Sequence, residues 1–280
     1  MPVQNKGAQR ASRRLSFGPI FVAVMATILA VGGVITDARP TEASSRKVVI
    51  VVGPTHGSTS SFRNTARDVA RTARSYGARV VEVYSPYATW SRVKEAAKGA
   101  NVFVYLGHGN GWPSPYAPNQ PYTKNGMGLN SSSGRGDYNT KYYGEHYIKS
   151  GLKLAEGAVV ILMRTCYAAG NSEGNTPNYS KSTARQRVDN FGAGFLRTGA
   201  SVVIADIMGN VDYVFRGLFR TNKTMKQIFW SSPRTTKHWK VRVRGNESPS
   251  WARGILDPYR PYQYHRSIMG DLDFRASAWR

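Results

Sequence analysis

Asn101-Val102-Phe103-Val104-Tyr105-Leu106-Gly107-His108-Gly109 is the stretch that decides how this chain folds. Five apolar residues in a row, with Val at alternate positions, read as a strand buried on both faces. The strand stops at a glycine-flanked histidine. Upstream, residues 48–52 (Val-Val-Ile-Val-Val) form a second run of this kind, broken by Gly53-Pro54-Thr55-His56-Gly57. Between the two runs, residues 61–76 have helical spacing. Phe62, Ala66, Val69, Ala70 and Ala73 fall on one face, Arg63, Arg67, Arg71 and Arg74 fall on another, and Gly77 is placed to cap the end. Residues 79–84 then read as a strand and 89–98 as a helix closed by Gly99.

The alternation resumes downstream. Residues 158–163 (Ala-Val-Val-Ile-Leu-Met) are a strand that ends at Arg164-Thr165-Cys166. Helical spacing follows over 184–198, then a strand over 200–205 ending at Asp206, then helices over 211–219 and 224–230. Strands alternating with helices imply right-handed crossovers and a parallel sheet covered on both faces. The expected class is α/β, a three-layer α/β/α sandwich with a mostly parallel sheet. Two stretches interrupt the pattern. Residues 110–143 are rich in Gly, Pro, Asn, Ser and Tyr and read as a long loop. The loop contains Arg135-Gly136-Asp137, which is either an adhesion tripeptide or a chance occurrence. In residues 237–244, Lys240, Arg242 and Arg244 alternate with Trp239, Val241 and Val243, as in a half-buried edge strand or a cationic binding strip.

The N-terminus bears on where the chain works. Lys6, Arg10, Arg13 and Arg14 precede an uncharged, mostly apolar run over 17–35, which reads as an export signal or an uncleaved membrane anchor. Positive charge before the run directs the rest of the chain outward. The expected organisation is residues 1–46 as signal or anchor plus linker, 47–232 as the α/β domain, and 233–280 as a basic, aromatic-rich extension packed on it. The formal net charge is +23, of which +19 falls on residues 47–280. Such a field favours polyanions. Export sets nucleic acid aside and leaves anionic cell-envelope polymers. Export also makes the single cysteine informative, because one thiol forms no internal disulfide; it is a buried core residue or a group kept for its reactivity.

Ligands of open parallel sheets bind beyond the carboxyl ends of the strands. His108, Cys166 and Asp206 each follow a strand at that edge. A thiol beside an imidazole is the pair that nucleophilic acyl transfer needs: the base takes the thiol proton and later protonates the leaving amine. Gly109 allows close backbone approach, and the N–H groups of Gly109 and Cys166 are candidates to polarise a scissile carbonyl. His56, after the first strand, is a rival base or a cleft-lining residue. Asp206 is a capping residue or a floor carboxylate for substrate. Trp112, Tyr116 and Tyr122 line a cleft mouth or pack the long loop. His146, His238 and His265 read as surface or core residues. No His/Cys/Asp/Glu set has metal-ligand spacing, so no cofactor is expected.

The segments Val102-Phe103-Val104-Tyr105-Leu106-Gly107-His108-Gly109 and Val159-Val160-Ile161-Leu162-Met163-Arg164-Thr165-Cys166 together resemble the caspase–gingipain clan of cysteine peptidases, which also includes legumains, clostripains and separases. The likeness covers roughly residues 48–206. Ser267-Ile268-Met269-Gly270-Asp271 is similar to the Leu-Gly-Asp-Pro signature of gingipain-like domains, with Leu272 in place of the Pro. Thr165 stands where the clan usually has Ala or Ser. The His-Gly-Asn-Gly-Trp-Pro and Cys-Tyr-Ala motifs have the flavour of secreted bacterial members. The resemblance implies a caspase-like fold and a metal-free His108/Cys166 dyad acting on a peptide or protein substrate.

Overall fold

The computed structural model describes residues 45–116, 118–173, 179–209 and 211–280. The expected signal or anchor over 17–35 lies outside these residues. Among the described residues, no helix is long and apolar enough to cross a membrane.

Five strands form the parallel part of the main sheet: β1 (Lys47–Val52), β2 (Arg79–Tyr84), β3 (Val102–Leu106), β7 (Ala158–Met163) and β8 (Ala200–Asp206). β1 from Val48 onward, β3 and β7 are buried along their whole length. Their β-branched runs satisfy both faces at once, which only a covered sheet permits. Three antiparallel strands complete it: β9 (Val241–Arg244), β10 (Arg253–Arg260) and β11 (Gln263–Gly270). The order across the eight strands is β2-β1-β3-β7-β8-β11-β10-β9. Residues 241–270 therefore extend the central sheet itself, and the described residues form one compact unit.

The helices cover both faces. α1 (Thr59–Ser75), α5 (Asp212–Arg220), α6 (Met225–Phe229) and α7 (Ala276–Trp279) pack on one side. α2 (Trp90–Ala97), α3 (Glu145–Gly151) and α4 (Lys181–Leu196) pack on the other. Local signals explain their limits. Gly77 takes φ 85° after α1, and N–H groups of residues 77 and 78 close back on carbonyls of 74 and 73. Thr224 and Gln227 form a reciprocal capping box at the start of α6. The Ser180 hydroxyl accepts the Thr183 N–H at the start of α4.

The stretch expected as a long loop holds a second sheet: β4 (Gly109–Asn110), β5 (Gly126–Asn130) and β6 (Thr140–Tyr143), in that order. Glycine hid it, since glycine carries no strand signal. Here it is needed for space. A Cβ on Gly126 would stand 1.9 Å from the Tyr143 carbonyl oxygen. Asp137 of the Arg-Gly-Asp tripeptide is an internal tie. Its carboxylate accepts the Ser85 hydroxyl at 2.7 Å and faces Arg63 at 3.5 Å, and its carbonyl accepts the His56 N–H at 3.1 Å.

Candidate active site

The register of the parallel strands sets the site. Leu106 lies opposite Met163, so the turns carrying His108 and Cys166 leave neighbouring strands side by side. They meet at Gly109. A Cβ there would come within 2.2 Å of the Cys166 carbonyl oxygen and 2.7 Å of the Thr165 methyl. The sequence offers Gly109 for close approach by substrate and for an N–H to a scissile carbonyl; what the structure shows is the close approach of the two turns to each other. Arg164 and Tyr167 hold left-handed backbone, φ 52° and 70°, on either side of Thr165 and Cys166. Non-glycine residues adopt this conformation at a cost, and it clusters at functional turns.

Buried polar groups of α4 fasten both turns. The Arg187 Nε donates to the Pro113 carbonyl at 2.7 Å, and its Nη1 donates to the Asn171 carbonyl at 2.9 Å. Its guanidinium lies over the Tyr167 and Tyr179 rings. Asn190 donates to the Trp112 carbonyl at 3.0 Å. Asp189 accepts the N–H groups of Asn246, Glu247 and Ser248 at 2.7–3.0 Å. From below, the Tyr105 hydroxyl lies 2.8 Å from the His108 carbonyl and accepts the Gly128 N–H at 3.0 Å.

His108 is half-buried, and its Nε2 is buried with no hydrogen-bond partner among the described residues. Burial holds its pKa below the ordinary imidazole value, the neighbouring His56 adds to this, and Glu173 opposes it. A neutral imidazole keeps one ring nitrogen as an acceptor. Burial pushes the Cys166 thiol up to about 11, and the Glu173 carboxylate adds to the rise. Both groups therefore rest neutral, Cys166 as a thiol and His108 as an imidazole. The structure brings His56 into the same group: its ring lies 5.3 Å from the His108 ring and stacks on Tyr138 at 4.9 Å.

Cys166 lines a cleft of about 840 Å³ together with Glu173, Tyr179, Met208, Tyr264 and His265, among others. His108, Gly109 and His56 do not line it, and neither does Asp206, the candidate capping residue or floor carboxylate. Asp206 is fully buried, 3.3 Å from the Arg266 Nε, and accepts the Met208 N–H at 2.8 Å. Arg266 gives its short contact, 2.7 Å, to Asp257. With two carboxylates sharing one guanidinium, burial outweighs the Arg266 attraction at Asp206 and raises its pKa to about 6. Trp112 also stands away from the cleft lining, its backbone held by Asn125 and Asn190. Tyr116 does reach the Cys166 loop, donating to Glu173 at 3.1 Å. Tyr122 packs on His146.

Sequence reasoning missed Glu173, Arg187 and the cleft wall from the β10–β11 hairpin. The density of Tyr259, Tyr262, Tyr264 and His265 in one short stretch was the available signal. No protein-family model matches the chain, and no curated protein sequence matches it.

Proposed function

We propose that this chain is an exported, caspase/gingipain-like cysteine peptidase with Cys166 as nucleophile and His108 as general base. One observation carries the reading. The turn bearing the single thiol packs directly on Gly109, the residue after His108, and opens into a peptide-sized cleft. The unpartnered His108 nitrogen and the element order from β1 to β8 support it further.

In this mechanism the His108 imidazole takes the Cys166 proton as the thiolate attacks the scissile carbonyl carbon. The carbonyl π pair moves onto oxygen. Collapse of that oxyanion breaks the C–N bond, and the His108 imidazolium gives its proton to the leaving amine. A thioester on Cys166 remains. Water, deprotonated by His108, attacks it, and the thiol leaves with the proton. Both groups rest neutral, so deprotonation accompanies attack.

A thiol-directed peptidyl electrophile is expected to label the chain, with labelling and peptide hydrolysis both lost in Cys166→Ser. An inert Cys166 in the folded wild-type protein sinks the reading. A second reading, a catalytically inactive protein of the same fold that binds anionic cell-envelope polymers, is favoured by β9. Arg242 and Arg244 are exposed there on the outermost strand, beside exposed Lys240 and Trp239. The same charge can also locate an enzyme that the dyad drives.

A further inference from the structure

We propose that the cleft beside Cys166 selects a large aromatic side chain, tyrosine before phenylalanine, on the acyl side of the bond to be cut. The inference rests on the reading of Cys166 as the nucleophile. The tip of the β10–β11 hairpin, residues 259–265, lies outside the segments that carry the clan resemblance and supplies much of the wall: Tyr259, Tyr262, Gln263, Tyr264 and His265. Tyr179, Ile207 and Met208 face the same space. Aromatic rings and a thioether favour a planar ring between them, through offset or edge-on stacking and sulfur contacts. The hairpin turn itself is left-handed at Tyr262, φ 65°, and both Tyr259 and Tyr262 are about half exposed. Both can therefore meet an incoming ring.

Charge argues against the alternatives. Arg164 and Arg234 are the lining cations, and Glu173 is the lining carboxylate. An arginine or lysine side chain would meet two like charges. It would also find the Glu173 oxygens accepting hydroxyls from Tyr116 and Tyr167 at 3.1 Å. An acidic side chain would be desolvated among tyrosines, while Arg164 is held over the Phe62 ring and Arg234 is exposed to water.

Two wall residues favour a hydroxyl on the ring. Tyr264 is 4% exposed and His265 6%. The Tyr264 Oη and the His265 Nδ1 are buried without a hydrogen-bond partner among the described residues. Such atoms are ordinarily paired. Burial holds His265 below its ordinary pKa, with Asp257 opposing, and raises that of Tyr264. Both are thus neutral at pH 7 and able to donate or accept. A phenol entering the cleft can supply the missing partner after a small ring rotation. A phenyl ring cannot.

The test uses the full chain and fluorogenic peptides that differ only in the residue before the scissile bond: Tyr, Phe, Leu, Gln, Asp or Arg. Tyr and Phe peptides are expected to exceed Asp and Arg in kcat/KM by about 10- to 100-fold. Tyr262→Ala should shrink that margin through KM. Tyr264→Phe, which removes one oxygen and little volume, should bring the Tyr/Phe ratio towards one. Preference for Asp or Arg peptides, with hydrolysis still lost in Cys166→Ser, overturns the pocket and leaves the peptidase standing. Cleavage of none of the peptides, with Cys166 inert to iodoacetamide, overturns both.

Discussion

The parallel and antiparallel halves of the sheet handle polar groups in opposite ways. In the parallel half, β1, β3 and β7 bury almost nothing polar, and the chemistry stands on the turns that follow them. In the antiparallel half the strands themselves bury Asp257, His265, Arg266 and Ser267. Arg266 holds Asp257 at 2.7 Å, faces Asp206 at 3.3 Å and donates to the Phe229 carbonyl at 2.7 Å. Ser267 donates to the Ala168 carbonyl at 3.2 Å, just past Cys166. One half is thus an apolar platform whose turns carry a thiol and an imidazole. The other is a polar clamp that closes the platform's edge and walls the cleft. A buried charge network is weak evidence for stability as such, yet removing one partner is costly because it strands the rest.

The sharpest way to break this contrast pairs one variant from each half. Asp257→Ala should lower unfolding free energy by about 3–5 kcal/mol, because Arg266 keeps its charge and loses its closest partner. Cys166→Ala should abolish hydrolysis and change stability by no more than about 1 kcal/mol. Denaturant unfolding and peptide turnover read both. Equal destabilisation by the two would erase the distinction between platform and clamp.

Within the platform, His108→Ala should lower kcat/KM by about 10²- to 10⁴-fold, the usual contribution of a general base. His56→Ala should cost less than about tenfold. A larger loss at His56 would transfer the role of base to it. Gly109→Ala tests the meeting of the turns. The new methyl must displace the Cys166 carbonyl, so a stability loss of about 1–3 kcal/mol should accompany a disproportionate fall in turnover.

The pH profile is a gentler probe. The base must be unprotonated, and burial lowers the His108 pKa. The acid limb of kcat/KM should therefore fall below the ordinary imidazole value of about 6.5, with activity lost as pH drops through it. Cys166 remains a thiol until about 11, so the plateau should extend beyond pH 8. An acid limb above pH 7 would contradict a desolvated His108. The smallest effect belongs to the edge of the clamp. Arg242→Glu with Arg244→Glu should shift stability by no more than about 0.5 kcal/mol. Binding to an anionic polymer such as heparin, and its salt dependence, should weaken in the same variant.

Legibility followed the same divide. β2 and β7 appear at the expected residues, and the other parallel strands agree within a residue or so. A fully buried strand writes itself as an unbroken apolar run. β10 and β11 left no such trace. Asp257 and Pro258 interrupt one, and His265-Arg266-Ser267 the other, although these positions are buried. The second sheet was hidden by glycines, and the helix contacts of Arg187, Asp189 and Asn190 by their polarity. Of the expected site residues, His108, Gly109, Cys166 and His56 gather at one edge. Of these candidates only Cys166 lines the cleft; His108, Gly109, His56, Asp206 and Trp112 do not. Asp206 and Trp112 are held by Arg266 and Asn190, from segments far along the chain.

The sequence by itself determined the α/β class, the parallel strands, and the edge at which a thiol and an imidazole come to stand. These are consequences of local hydrophobic runs, each readable without its neighbours. Tertiary structure decided which groups meet. It packed Gly109 on Cys166, tied Asp206 to Arg266 and laid a tyrosine-rich hairpin along the cleft. Pairing of buried charges and closure of a cleft depend on surfaces brought together from distant segments, and no local pattern records that cost or its compensation.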